Sequence, residues 1–244
     1  KLRKVDAYEL WNYTEINLKD IMTGNQYNTY PVYDGVVLPL NDPLKAISEG
    51  NFNKDVTILM GYNDVEGVRF VTGECTEERL NNYIKKAFRP DSYQEVIDYY
   101  AAQTDRTIQD KTNEAVGMSI ITLGIVAAED AFAKQGKEIY VYDFNYTDSY
   151  GGVQTHASEM PYVFGSSAVL SGQQMNDDDK KVRDVMHGYW VNFIKTGNPN
   201  GAGLPEWPTY VTGEKTIKEI KPNSTTISRP YQDVIDFLSP RYFR

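Results

Sequence analysis

Two apolar strings of strand length frame the middle of the chain. Val56-Thr-Ile-Leu-Met-Gly-Tyr-Asn63 follows a turn-like Gly50-Asn-Phe-Asn-Lys-Asp55 and predicts a mostly buried strand. Glu138-Ile-Tyr-Val-Tyr-Asp-Phe-Asn-Tyr146 follows Gly136 and alternates Ile139 and Val141 against Tyr140, Tyr142 and Phe144, which predicts a second strand. Between them the period becomes helical. Leu80, Tyr83, Ile84, Ala87 and Phe88 fall on one stripe behind Thr76, a plausible N-cap with Glu77 and Glu78 in the first turn. Asp91 with Gln94 three residues on predicts the start of a second helix carrying Val96, Ile97 and Tyr100. A third and longer helix is expected from about Asp110 to Lys134, with Val116, Ile120, Leu123 and Ala127 aligned and Gly136 just past its end. Strand, helices, strand is the order of an α/β protein with a crossover connection.

A loop from Thr147 to Gln154, containing Gly151-Gly152, follows the second strand. The acidic triplet Asp177-Asp-Asp179 suits the positive end of a helix dipole and reads as a solvated helix start. Val182, Val185, Met186, Tyr189 and Phe193 give that helix its apolar face, and Gly197 is a good residue to end it. A short strand, Thr216–Ile220, and a closing helix near Tyr231–Leu238 complete the pattern. No repeat, low-complexity tract or linker divides the chain, which predicts one domain or one piece of a domain.

Composition narrows the function. Lys plus Arg number 25 against 34 Asp plus Glu, a formal charge of -9 that repels phosphate backbones and anionic lipid and argues against nucleic-acid binding. No run of apolar residues approaches the roughly 18 that a membrane span needs. The single cysteine, Cys75, excludes an internal disulfide and a cysteine zinc site, and reads as a small packing residue. Two histidines are too few for a histidine-rich metal site, and no cofactor motif is present, so no metal or cofactor is expected. The opening Lys1-Leu-Arg-Lys-Val-Asp6 is neither a signal nor a transit sequence, and it lacks an initiator Met. Such a start fits a chain that begins inside a longer protein, although processing gives the same result, and it leaves the compartment open.

In open α/β sheets catalysts gather beyond the carboxyl ends of strands. The first strand runs into Gly61-Tyr-Asn-Asp-Val-Glu66-Gly67, and the second into Gly151-Gly-Val-Gln-Thr-His156-Ala-Ser-Glu159. Acid then histidine is the order in which α/β-hydrolases carry these two triad members, with the serine earlier still. In such a pair the carboxylate accepts the Nδ1–H of histidine, holds its tautomer, and stabilises the imidazolium that forms during turnover. A carboxylate oxygen of Glu66 is then expected within about 3.2 Å of His156 Nδ1. A lone acid and a lone histidine in loops are more often solvated residues, so the spacing needs support.

Four ordered segments supply it. Tyr30-Pro-Val-Tyr-Asp-Gly-Val-Val-Leu-Pro39 is similar to a "PVVDG-x-x-LP" segment, and Ile58-Leu-Met-Gly-Tyr-Asn-Asp-Val-Glu-Gly67, with Phe70, to "G-x-N-x-DEG-x-x-F". Gly152-Val-Gln-Thr-His-Ala-Ser-Glu-Met-Pro-Tyr-Val-Phe-Gly165 is similar to "GA-x-H-x-x-E-L-x-YVFG". Tyr189-Trp-Val-Asn-Phe-Ile-Lys-Thr-Gly-Asn-Pro-Asn200, with Trp207-Pro and Tyr210, is similar to "YW-x-NF-x-KTG-x-PN … WP-x-Y". Together they resemble the C-terminal half of the type-B carboxylesterase and cholinesterase-like family. The resemblance implies that residues 1–244 are the C-terminal portion of a single α/β-hydrolase domain, with a mixed, mostly parallel sheet flanked by helices. It implies that Glu66 and His156 are the acid and base of a Ser-His-Glu triad and that Glu159 is a buried carboxylate behind them. The family's other acid is replaced by Val65, and Asp64, one place earlier, is a decoy or a substitute acid. His187, in the last long helix, reads as structural or surface.

The nucleophile is missing from the sequence. Gly117-Met-Ser119-Ile-Ile and Gly165-Ser-Ser167-Ala-Val both fail the Gly-x-Ser-x-Gly pattern at its last position. The family's chains are about twice this length, so the resemblance implies that an N-terminal half, the expected partner, supplies the serine and the oxyanion hole. The implied activity is hydrolysis of small carboxylic esters. The alternative is a non-catalytic, cholinesterase-like adhesion domain, a class in which triad positions are often lost; retention of Glu66 and His156 favours the enzyme, and a peptidase on the same fold is weaker. Acyl and alcohol specificity are not legible. Three Asn-x-Ser/Thr triplets, at Asn12, Asn145 and Asn223, are weak pointers to secretion.

Overall fold

The computed structural model describes residues 2–10, 34–38 and 42–243. Asn12 and half of the Tyr30–Pro39 segment lie outside the described residues. Both expected strands form, β1 at Ile58–Asn63 and β2 at Ile139–Phe144, and they pair in parallel with Ile58 opposite Ile139 and Asn63 opposite Phe144. Strand β3, Thr216–Ile220, adds in parallel on the far side of β2, and β4, Thr225–Ser228, closes antiparallel to β3. The sheet order is β1-β2-β3-β4. β4 is not legible in the sequence, because its side chains are mostly exposed and carry no apolar alternation.

Helices cover both faces of β2, which is why all six of its residues are buried. Ile139 and Val141 enter one core with Leu80, Ile84, Val96, Leu123 and Leu238. Tyr140, Tyr142 and Phe144 enter the other with Val182, Met186, Tyr189 and Trp207. The alternation read from the sequence is thus the division between two cores.

Before the sheet, α1 spans Pro43–Ser48. α2 spans Glu77–Ala87, and Thr76 caps it by accepting the Arg79 amide at 3.2 Å. α3, Tyr93–Ala102, begins without the expected capping box. Arg89 holds the Asp91 carboxylate, and the Arg89 carbonyl takes the amides of Ser92 and Tyr93, so the turn after Pro90 closes by other bonds. The long helix starts two residues early, behind the Thr107 cap. It comprises α4 (Ile108–Gly117), a wide π segment (Met118–Thr122) and α5 (Leu123–Lys134), the last packed on β1 and β2. Taken whole it is, by length and composition, apolar enough to cross a membrane, which counting consecutive apolar residues missed. More than half of its most apolar stretch is buried within the molecule.

The short α6, Met160–Val163, and the twenty-residue α7, Asp177–Thr196, cover the second face. α7 ends at Gly197 in the left-handed region, φ 76°, where a side chain would be strained. α8 runs Gln232–Tyr242, four residues beyond the expected end and through Pro240. Arg241 secures that end through Glu95 and the Phe237 carbonyl.

Candidate active site

The turn after β1 carries Glu66 at the start of a 3-10 turn, Glu66–Arg69, seated directly on α4. The fit requires glycine: a Cβ on Gly67 would lie 1.8 Å from the Asn113 carbonyl oxygen, and one on Gly117, which faces it, 2.7 Å from the Gly67 amide nitrogen. The loop after β2 reaches the same turn from the other strand. The Val65 amide donates to the Gln154 carbonyl at 3.0 Å, and Asn63 Nδ2 donates to the Thr155 carbonyl at 3.1 Å. His156 follows at once, and Ala157 behind it takes a positive φ of 70°, a conformation that turns the chain sharply at some cost for a residue with a Cβ.

These bonds bring together two side chains that lie ninety residues apart. His156 Nδ1 lies 2.9 Å from Glu66 Oε2, inside the expected limit. An ionised carboxylate only accepts, so in that state Nδ1 carries the proton and Nε2 keeps its lone pair. The imidazole is 47% exposed and the Glu66 side chain 4%. Among the described residues Nε2 has no hydrogen-bond partner. The Phe70 ring packs against the imidazole at a centroid distance of 5.0 Å. Burial pushes the Glu66 carboxyl above its ordinary value, opposed by the Asn63 amide, which donates to Oε1 at 2.8 Å, and by His156.

The other sequence candidates have different neighbours. Glu159 is half-buried rather than fully enclosed, and it accepts Asn63 Nδ2 at 2.6 Å. Asn63 therefore links all three positions, with its amide on Glu66 and its side chain on Glu159 and the histidine loop. Its polar side chain at the end of an apolar strand was the available signal. Asp64 turns away and accepts the Tyr231 hydroxyl at 3.3 Å. His187 is exposed on α7 and bonds the Val163 carbonyl through Nδ1 at 2.8 Å, fastening α6 to α7. Ser119 is buried in the π segment with the Tyr83 hydroxyl at 2.7 Å and its own oxygen on the Ala115 carbonyl, and Ser167 lies on the surface. Among the described residues no group of three or more His, Cys, Asp or Glu is placed to hold a metal ion. A cavity of about 440 Å³, lined by Asp64, Glu66, Arg106, Glu114, Val153 and Tyr231 among others, lies against the acid.

A further carboxyl sits beneath the site. Asp143 on β2 is fully buried, and neither oxygen has a partner among the described residues. Its register neighbours are Tyr62 on β1 and Glu219 on β3. Burial, reinforced by Asp64, Glu219 and Glu66, pushes its carboxyl up to about 8. The folded protein then holds a proton that the unfolded chain releases near its ordinary value of 3.8. Its stabilising share is therefore complete below that value and is lost as pH rises through about 8. Asp143→Asn should gain stability relative to the parent as pH rises, read as urea midpoints at pH 5.5 and 8.5. A difference that stays constant between the two would contradict the assignment.

Comparison with known proteins identifies the family and the fold. The carboxylesterase family profile matches residues 1–237. Carboxylesterase 1D of Mus musculus is 27% identical over 224 residues, covering 81% of this chain and 39% of that protein. Liver carboxylesterase of Sus scrofa is 27% identical over 214 residues, covering 77% of this chain and 37% of that one. A solved PNB esterase superposes on all of the chain and 49% of its own with a TM-score of 0.77 at 22% identity, which speaks for the fold. A Geobacillus stearothermophilus carboxylesterase superposes on 83% of the chain and 44% of its own with a TM-score of 0.68 at 25% identity. The chain spans less than half the length of the curated relatives it matches. The sheet of three parallel strands and one antiparallel strand, flanked by helices, is that of the α/β-hydrolase esterases, and the chain belongs to the carboxylesterase family.

Proposed function

We propose that this chain supplies the base and the acid of a serine carboxylesterase, His156 and Glu66, and that a polypeptide N-terminal to it in the same α/β-hydrolase domain supplies the serine and the oxyanion donors. The observation that carries the reading is the 2.9 Å contact between His156 Nδ1 and a buried Glu66, with the imidazole itself half-exposed. Support comes also from β1, whose outer edge is unpaired among the described residues and is open to a further strand.

In this mechanism His156 Nε2 accepts the serine hydroxyl proton as the serine oxygen attacks the ester carbonyl. The tetrahedral intermediate collapses as the imidazolium returns the proton to the departing alcohol. Water then attacks the acyl-enzyme, His156 again takes and returns a proton, and the carboxylic acid leaves. Glu66 stabilises the imidazolium at both stages, and Asn63 holds Glu66. Glu159 supports Asn63 from behind. The substrates are small carboxylic esters, whose neutral carbonyl suits an acidic protein that repels polyanions.

A fluorophosphonate probe tests the reading. Applied to the native assembly containing this chain, it should form an adduct on a serine outside residues 1–244, and His156→Gln should slow labelling by orders of magnitude. An adduct on Ser119 or Ser167, or equal labelling rates, would overturn the proposal.

A further inference from the structure

The three aspartates that open α7 are not equivalent. The Asp177 and Asp178 side chains are 92% and 62% exposed and pair with Lys180 and Lys181 one turn on. Asp179 has no exposed surface, so the solvated helix start expected from the sequence holds for only two of the three. Its carboxylate accepts four hydrogen bonds. One, from the Asn176 amide at 2.9 Å, closes the capping box of α7. The other three come from the segment that leaves β2: the Tyr146 hydroxyl at 2.9 Å, the Ser149 amide at 3.0 Å and the Ser149 hydroxyl at 2.5 Å. Burial pushes this carboxyl up, but the Ser149, Asn176 and Tyr146 donors outweigh it and hold the group below its ordinary value, as a carboxylate.

Beyond Ser149 the loop is bonded step by step to the histidine. Asp148 accepts the amides of Tyr150 and Gly152, each at 2.9 Å. Gln154 Nε2 donates to the Thr147 hydroxyl at 2.8 Å, and the Gln154 carbonyl receives the Val65 amide from the acid turn. Thr155 is tied to Asn63, and His156 comes next. The far end of this loop is therefore fastened to the Glu66 turn, while its near end is fastened to α7 through Asp179 and to the segment just before α7 through the Tyr150 hydroxyl on the Gln174 carbonyl.

We propose that Asp179 is a positioning residue for His156: by clamping Tyr146 and Ser149 to the N-terminus of α7, it fixes the loop that delivers the imidazole to Glu66. The inference rests on reading His156 as the general base. It draws on the steep dependence of turnover on geometry, since a displacement of about 1 Å at a catalytic group can cost roughly a hundredfold. An ionised acceptor with four donors is a rigid anchor, because each charge-assisted bond is shorter and stronger than a neutral one.

The test uses the native assembly and separates the clamp from the helix cap. Tyr146→Phe with Ser149→Ala removes two of the three loop donors and leaves the capping box of Asn176 and Asp179 intact. Asp179→Asn weakens both, and Asp177→Asn and Asp178→Asn serve as controls. With p-nitrophenyl acetate, the paired loop variant and Asp179→Asn should lower kcat roughly tenfold to a hundredfold while KM changes less than about threefold; the controls should match the parent. The proton shared between His156 Nδ1 and Glu66, observed as a downfield resonance without substrate, should broaden or shift in the same two variants only. Unchanged kcat and an unchanged resonance in the paired loop variant would overturn the clamp. If instead the resonance moves while His156→Ala hydrolyses ester as fast as the parent, the clamp stands and the reading of His156 as base falls.

Discussion

His156→Ala should remove essentially all ester turnover from the assembled protein, by a factor on the order of 10⁴ to 10⁶, and leave its melting temperature close to that of the parent. The size of the loss follows from the chemistry. In the proposed triad the serine hydroxyl proton would lose its acceptor with the imidazole, and triad members act as a unit, so losing one forfeits most of what the set provides. The small effect on folding follows from exposure: the imidazole is half in solvent and, among the described residues, its hydrogen bond is to Glu66. Glu66→Gln should be severe but gentler, because the Asn63 amide still meets a carbonyl oxygen while the imidazolium loses its charge partner. His187→Ala should change turnover by well under tenfold, since that ring is exposed on α7 and bonds the Val163 carbonyl rather than the Glu66 site. Initial rates on an aryl ester and melting curves for the three variants decide the matter. Equal rates for His156→Ala and the parent would mean that esterase chemistry bypasses this residue, and a cholinesterase-like binding domain would become the better reading.

Arg229→Met should cost about 3–5 kcal/mol of stability, a large effect for a substitution away from the site. The Arg229 and Glu129 side chains are almost wholly buried, and the guanidinium bonds Glu129 Oε2 between α5 and the segment that follows β4. Glu129 Oε1 and Arg229 Nε have no hydrogen-bond partner among the described residues, so each charge depends heavily on the other. Burial pushes the Glu129 carboxyl up to about 8, against the pull of Arg229. Removing Arg229 drives it higher still. A carboxyl raised in the folded state loses its stabilising share as pH rises through that value, so the deficit of Arg229→Met should be smaller at pH 5 than at pH 8. Adding Glu129→Gln should recover most of the loss, because the cost lies in the unpaired charge. Urea unfolding of the single and double variants at the two pH values measures all three claims. A deficit independent of pH, unrelieved in the double variant, would show that lost packing of the Arg229 stem is responsible.

Much of the fold was legible because its signals are local. Periodicity marked α2, the long helix and α7, and the alternation of Ile139 and Val141 against Tyr140, Tyr142 and Phe144 anticipated the two faces of β2. Thr76 and Gly197 act as caps because capping needs only neighbours in sequence. Asp91 failed for the same reason in reverse. Its carboxylate had a stronger partner in Arg89, which a capping pattern does not include. β4 and the extension of α8 through Pro240 were missed because pairing with β3 and the contacts of Arg241 outweigh weak local preference.

The site divides along the same line. The sequence by itself determined the family, and the order of an acid after one strand and a histidine after the next, because ordered motifs and strand ends are one-dimensional features. It could not determine that Asn63 joins Glu66 to Glu159 and the histidine loop, since the latter two bonds span 96 and 92 residues and exist only once β1 and β2 lie side by side. Nor could it separate Asp179 from Asp177 and Asp178. Three identical side chains in a row have the same local preferences, and only the rotation of the helix decides which one faces the loop. Asp143 and Glu219 illustrate the point most simply: each is an ordinary acidic residue in its own strand, and the sheet register sets them beside one another in the interior. Burial and partnership are properties of the folded arrangement, so the charge state of a carboxyl is decided there, while the capacity to carry that charge is written in the chain.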